Sequence, residues 1–222
     1  MVDESPLEEL DRRRARARQM GGADKLAKRH GRGQLNAQER LMLLVDPGSF
    51  QEVGLLGASG VFRDDEARTP RDGKIAGFAK IDGRDVGVVV NDFTVAGAST
   101  SATNSKKLGH VRRIATEKGM PFVHIGESTG ARLPDAMGSR GMGSLLGNDP
   151  TQFRRTRETP WAAAAFDTSF GSSAWLCCCA DFAASSGLVV SPRPLAGAPP
   201  MKPARSSRSS RVERRSAFRY GR

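Results

Sequence analysis

PFVHIGESTGARLPDAMGSRGMGSLL, residues Pro121 to Leu146, is the stretch from which the rest of the chain is read. An apolar run, Phe122 to Ile125, enters a loop with glycines at Gly126, Gly130, Gly138, Gly141 and Gly143 and with Arg132 in its middle. Glycine tolerates positive φ and lets a ligand approach the main chain, so a strand exit of this kind can aim backbone N–H groups at an anion. The expectation is an oxyanion pocket. Immediately upstream, Ser101 to Lys118 places Leu108, Val111, Ile114 and Ala115 on one helical face, Gly119 supplies a C-cap and Pro121 follows. Before that helix lies Val86 to Val90, a β-branched apolar run. Strand, helix and strand in that order predict parallel pairing with a right-handed crossover, hence an α/β fold.

Outward from this unit the signals continue. Asn36 with Glu39 three residues on reads as a capping box, and Leu41, Leu44 and Val45 form the stripe of a helix stopped by Asp46-Pro47-Gly48. Val53 to Leu56 and Ile75 to Ile81 read as strands, the second joined to Val86 to Val90 through the two-residue turn Asp82-Gly83. Downstream, Asp149 to Glu158 reads as a short charged helix and Trp161 to Phe166 as a strand. Gly171-Ser172-Ser173 opens a helix through Ala180, and Ala183 to Val190 is a last strand. The predicted domains are a basic helical arm (1–35), an α/β domain (36–190) and a disordered tail (191–222), since the tail is built of Pro, Arg, Ser, Ala and Gly with little to bury.

Charge follows the same division. The chain has 222 residues and a formal charge of +11, and residues 191–222 alone hold nine of the basic residues against one acidic. The basicity is mostly a tail. The arm, Ser5 to Met20, mixes leucines with arginines and suits a solvated helix better than a nucleic-acid contact. Cys177, Cys178 and Cys179 are consecutive, which suits neither a disulfide framework nor a zinc site, because successive helical side chains point about 100° apart. They are expected as small core residues, and no metal site is expected. No signal peptide or membrane span is recognisable, so a cytoplasmic protein is expected.

Two motifs are weighed and set aside. Gly126-Glu127-Ser128-Thr129-Gly130 matches a G-x-S-x-G nucleophile elbow, but His30, His110 and His124 all precede Ser128, against the chain order of that hydrolase triad. A turn serine bonded to backbone is the better reading. Gly138 to Gly147 holds neither G-x-G-x-x-G nor a Walker sequence. Arg132 keeps two readings open: bidentate binding of a carboxylate or phosphate, or an internal ion pair that holds the loop.

Four ordered stretches, ERLMLLVDPGSF (39–50), DGKIAGFAKIDGRDVGVVVNDFTVAGAS (72–99), ESTGAR (127–132) and FGSSAW (170–175), resemble the acyl-CoA carboxyltransferase β subunits of biotin-dependent carboxylases. The resemblance covers about Arg13 to Ala183. It implies a crotonase-like superhelix of β-β-α units, incomplete here, with a disordered C-terminal tail. It also implies transfer of a carboxyl group to the α-carbon of an acyl-CoA from carboxybiotin carried on a partner protein, with the ureido nitrogen taking the proton. Removal of the α-proton puts negative charge on the thioester oxygen, which backbone donors can hold. Carried over by position, Gly130 and Ala131 at the strand exit and Gly171 and Ser172 at the helix start are the implied oxyanion residues, with Thr129 and Arg132 facing substrate. Because those roles belong to main-chain N–H groups, Ser172→Ala is expected to do little and Ser172→Pro to remove a donor.

The resemblance further implies biotin carboxylase and carrier partners and a homo-oligomer; a decarboxylase or glutaconyl-type relative stays open, since these share the same first domain. Departures matter too. Asp167-Thr168-Ser169 puts a carboxylate where it is expected to oppose the enolate charge. Family members also have a second domain that completes the active site, and the change of character after Val190 is read as a shifted reading frame, giving a truncated, inactive product. The alternative class is a non-enzymatic binder whose ARSSRSSRVERRSAFR segment (204–219) contacts RNA or another polyanion electrostatically.

Overall fold

The computed structural model describes residues 5–60, 65–136 and 158–186. Its elements in chain order are α1 (Pro6–Arg18), α2 (Ala23–His30), α3 (Ala37–Leu44), β1 (Gln51–Glu52), α4 (Asp65–Arg68), β2 (Lys74–Ile81), β3 (Arg84–Asn91), α5 (Ala102–Glu117), β4 (Phe122–Thr129), α6 (Leu133–Ala136), β5 (Trp161–Phe170), α7 (Ser172–Cys178) and β6 (Phe182–Ser186). Short 3-10 turns, Pro70–Gly73 and Ala96–Ala98, join them.

One six-stranded sheet carries the fold, in the spatial order β1 to β6. The β2–β3 hairpin is antiparallel and closes Ile81 against Arg84. Asp82 and Gly83 both have positive φ, at 50° and 75°, as a two-residue hairpin turn with right-handed strand twist requires. From β3 onward every pairing is parallel, with Val88 beside Val123 and Ala163 beside both His124 and Ala183. The strand–helix–strand reading is met: α5 spans the crossover from β3 to β4. Ser101 caps α5 through Asn104 N, and Asn36 caps α3 with Glu39 in the predicted box.

Alternating valines of β3 divide the core. Val88 and Val90 pack with Leu41, Val45, Ile75 and Ile125 under α3, whereas Val89 packs with Val111, Phe122, Trp161 and Leu176 under α5 and α7. Phe122 and Trp161 meet edge to face, centroids 5.6 Å apart, a geometry the ring quadrupoles favour.

Several boundaries are corrected. Val53 to Leu56 is not a strand; only Gln51–Glu52 pairs with β2. β4 runs on through Thr129 and β5 through Phe170, because parallel neighbours keep pairing their backbones beyond the apolar runs. Of the cysteines, Cys178 is exposed and its neighbours are only half-buried, since the helix turns the middle one outward. Of the predicted strand 183–190, residues 183–186 fall in β6; residues 187–190, the predicted helix 149–158 all but its last residue, and the tail 191–222 lie outside the described residues. Among the described residues no helix is long and apolar enough to cross a membrane.

Candidate functional site

Two chain segments implied from different parts of the sequence come together at one end of the sheet. β4 leaves at Thr129, followed by Gly130 with φ 100°, and β5 leaves at Phe170, followed by Gly171 with φ 59°. Thr129 and Phe170 are register partners, so both chains exit at the same level. A Cβ built on Gly171 would stand 3.2 Å from Gly130 Cα and 3.9 Å from Ala131 N. Glycine at 171 therefore meets both a left-handed backbone and a close approach of main chains.

Ser172 begins α7, whose N-cap Gly171 offers no side-chain cap. The first N–H groups of a helix have no intrahelical acceptor, so they are available to an oxygen at that end. Gly130, Ala131, Gly171 and Ser172 are thus grouped in space. The hydroxyl of Ser172 is also engaged, 2.7 Å from Thr100 Oγ1.

Beneath the exit lies a buried polar network. Arg132 is only 6 % exposed; its Nε donates to Ser99 Oγ at 3.1 Å, one terminal nitrogen donates to Ser99 O at 3.1 Å, and the other pairs with Asp72. Asp72, wholly buried and left-handed at φ 47°, also accepts from Asn104 N at 3.0 Å and from Ser101 Oγ. Of the two roles open for Arg132, the geometry is that of the internal ion pair, and its position gives no support to substrate contact. Thr129 donates to Gly97 O at 3.3 Å and stays exposed. Ser128 is buried and donates to Ala98 O at 3.1 Å, so it is backbone-satisfied as expected, although it lies within β4 rather than in a turn.

On the opposite face, Glu127 is gripped by two arginines. Arg29 donates to both of its oxygens at 2.8 Å and Arg40 to Oε2 at 2.5 Å. Burial pushes the Arg40 guanidinium pKa down, and Glu127 opposes that shift. The β4–β5 register slips here, from Gly126 opposite Ala165 to Ser128 opposite Ser169, so residues 166–168 bulge. Bulges re-aim the residues around them. Phe166 is carried under the Arg40 guanidinium, 4.3 Å from its ring centroid, and Asp167 (φ 45°) accepts from Gln34 Nε2 at 3.0 Å. The expected clash of charge is corrected: the Asp167 carboxylate is turned to Gln34 and acts on Arg40 rather than into the exit.

His124 is completely buried, and neither ring nitrogen has a hydrogen-bond partner. Burial, and then the charges of Lys74 and Arg112, push its pKa down to about 3. It is neutral at working pH. A Cβ on Gly126 would lie 3.2 Å from His124 Nε2 and 2.3 Å from Ser173 Oγ, so only glycine lets α7 settle this close to β4.

Thr100, Asp72, Arg29 and Arg40 were not anticipated as partners of the site. Glu127 carried the available signal, being a charged residue inside a strand whose other inward positions are apolar or small.

With this geometry in view, comparison with known proteins identifies the class. Residues 28–184 match the carboxyl transferase domain, and the chain belongs to that family. It is 40% identical over 135 residues to the propionyl-CoA carboxylase beta chain of Roseobacter denitrificans, covering 60% of this chain and 26% of that one. It is 34% identical over 133 residues to the methylmalonyl-CoA decarboxylase subunit alpha of Veillonella parvula, covering 59% of this chain and 26% of that one. Among solved structures, transcarboxylase 12S with methylmalonyl-coenzyme A and methylmalonic acid bound superposes with a TM-score of 0.71 at 30% identity, covering 83% of this chain and 36% of that chain. The fold is therefore crotonase-like α/β, as the resemblance implied. The chain spans about a quarter of the length of the curated relatives it matches.

Proposed function

We propose that these residues form the acyl-CoA half of a carboxyltransferase site of the biotin-dependent acyl-CoA carboxylase type, with the thioester oxygen received between the β4 exit and the start of α7. The observation that carries this reading is how near the two main chains run: a Cβ at Gly171 would stand 3.2 Å from Gly130 Cα and 3.9 Å from Ala131 N. Loss of the α-proton converts the thioester to an enolate, and the charge collects on one oxygen. Fixed N–H donors at Ala131 and Ser172 hold that charge better than the neutral carbonyl, which lowers the barrier rather than merely the binding free energy. The walls of the site are main chain, and Gly171, Ala131 and Thr129 open onto solvent.

Carboxybiotin, presented by a partner carrier protein, would supply the carboxyl group; none of the described residues is assigned to hold it. Relatives named as carboxylase and decarboxylase share this segment, and the donor pair serves either direction, since both pass through the same enolate. We expect the chain to bind acyl-CoA without turning it over by itself.

Calorimetry with propionyl-CoA and free CoA tests the reading on the full chain. Propionyl-CoA is expected to bind more tightly than CoA, and Ser172→Pro to weaken it beyond Ser172→Ala, because proline is tolerated at the first helical position and removes only the N–H there. Equal binding of CoA and propionyl-CoA would sink the thioester site. Carboxylated product formed with biotin carboxylase and carrier, above a no-protein control, would overturn the expected lack of turnover.

A further inference from the structure

We infer that Thr100 is a positioning residue that locks the β4 exit to the start of α7 and so fixes where the N–H groups of Ala131 and Ser172 point. The inference rests on the enolate-stabilising reading above for its consequence, but the tie itself stands on this geometry alone. Thr100 lies between the Ala96–Ala98 turn and α5 and is buried. Its N–H donates to Gly130 O at 2.7 Å, and its C=O accepts from Arg132 N–H at 2.8 Å. These two bonds make a single parallel β-rung between Thr100 and Ala131.

In such a rung the partner's own N–H and C=O point the other way. The Ala131 N–H is thereby turned from Thr100, on a nitrogen 3.9 Å from where a Cβ at Gly171 would stand. The third bond is made by the side chain, whose Oγ1 lies 2.7 Å from Ser172 Oγ. One residue thus holds both donor segments, by backbone on one side and by hydroxyl on the other.

Among the described residues the Thr100 hydroxyl bonds to Ser172 alone. The cap of α5 is Ser101, whose Oγ accepts from Asn104 N at 3.1 Å, so Thr100 is not needed there. Its β-branch restricts χ1 and keeps the hydroxyl aimed at one partner. The Ser172 side chain, expected to be indifferent, becomes the other end of the tie.

The experiment uses the full chain, three single variants and one double variant. Thr100→Val keeps the shape and deletes the hydroxyl, Thr100→Ser keeps the hydroxyl, and Ser172→Ala deletes the other end. Hydrogen exchange is read at the Trp175 amide, bonded to Gly171 O at 3.0 Å, and at the Arg132 amide. Loss of one hydrogen bond of ordinary net strength is expected to speed exchange about fivefold in Thr100→Val and in Ser172→Ala. Thr100→Ser should match the parent, and the Thr100→Val/Ser172→Ala double variant should be no faster than either single, because both delete the same bond.

Propionyl-CoA affinity should fall by the same factor in the two deletions and recover in Thr100→Ser. Parent-like exchange in Thr100→Val, equal acceleration in Thr100→Ser, or effects that multiply in the double variant would overturn the tie. If exchange follows the expected pattern while the parent fails to bind propionyl-CoA, the tie stands and the thioester reading falls. Should Thr100→Val not fold, Ser172→Ala alone carries the comparison.

Discussion

His124 shows how a single buried side chain sets a pH limit on the fold. Its ring nitrogens lack hydrogen-bond partners, and burial holds its pKa near 3 against an ordinary 6.5. Between those values the unfolded chain takes up a proton that the folded chain refuses. The penalty from His124 is therefore absent above pH 6.5 and grows as pH falls toward 3, by about 1.4 kcal/mol per unit. Urea unfolding at pH 7 and pH 4.5 should show this slope, and His124→Leu should flatten it. Lys74 and Lys107 act in the alkaline range. Each is pushed down to about 8, burial being the main cause, so each withholds stability at neutral pH that is regained between pH 8 and 10.5. Their ammonium groups are not idle: Lys74 donates to Asn91 Oδ1 at 2.9 Å and Lys107 to Lys74 O at 2.5 Å.

At the scale of elements, the Arg29–Glu127–Arg40 cluster fastens α2 and α3 to β4. Two arginines on one carboxylate leave a surplus positive charge in a buried place, which Asp167 on the bulge of β5 partly offsets. Removing the central charge while leaving both arginines should be costly. Glu127→Gln is expected to destabilise the chain by about 3 kcal/mol, as for other broken buried pairs, with denaturant midpoint as the measure. A loss under 1 kcal/mol would show the arginines finding water instead. This cluster also marks the limit of what sequence patterns reveal. Capping residues, the Asp82-Gly83 turn and the apolar stripe of α5 are local signals, and they located α3, the hairpin and the crossover. Glu127 meets Arg29 from 98 positions away, and no periodicity encodes such a pairing. The same reason left Thr100 unrecognised: beside Ser101 it looks like part of a helix cap, and its actual partners are Gly130, Arg132 and Ser172. The oxyanion glycines were legible only through the family resemblance, because a backbone donor leaves no side-chain signature.

For the whole molecule, the decisive regularity is that strands succeed one another in space in the order of the chain. Each added strand covers the free edge of the one before, so the described sheet ends at β6, which pairs with β5 on one side. Three large apolar side chains stand out near that end: Phe170, Trp175 and Phe182 are 64%, 54% and 69% exposed. An edge strand whose outer side meets no other strand among the described residues, beside exposed aromatics, is a template for association. The chain is expected to self-associate with rising concentration, and Phe182→Lys should shift it toward monomer, since a charge on an edge strand opposes pairing with a second copy. Sedimentation velocity over a hundredfold range of concentration reads this out. If the parent stays monomeric throughout, or if Phe182→Lys associates equally, the β6 edge does not drive contact between copies, and the exposed aromatics of β5 and α7 become the next surface to change.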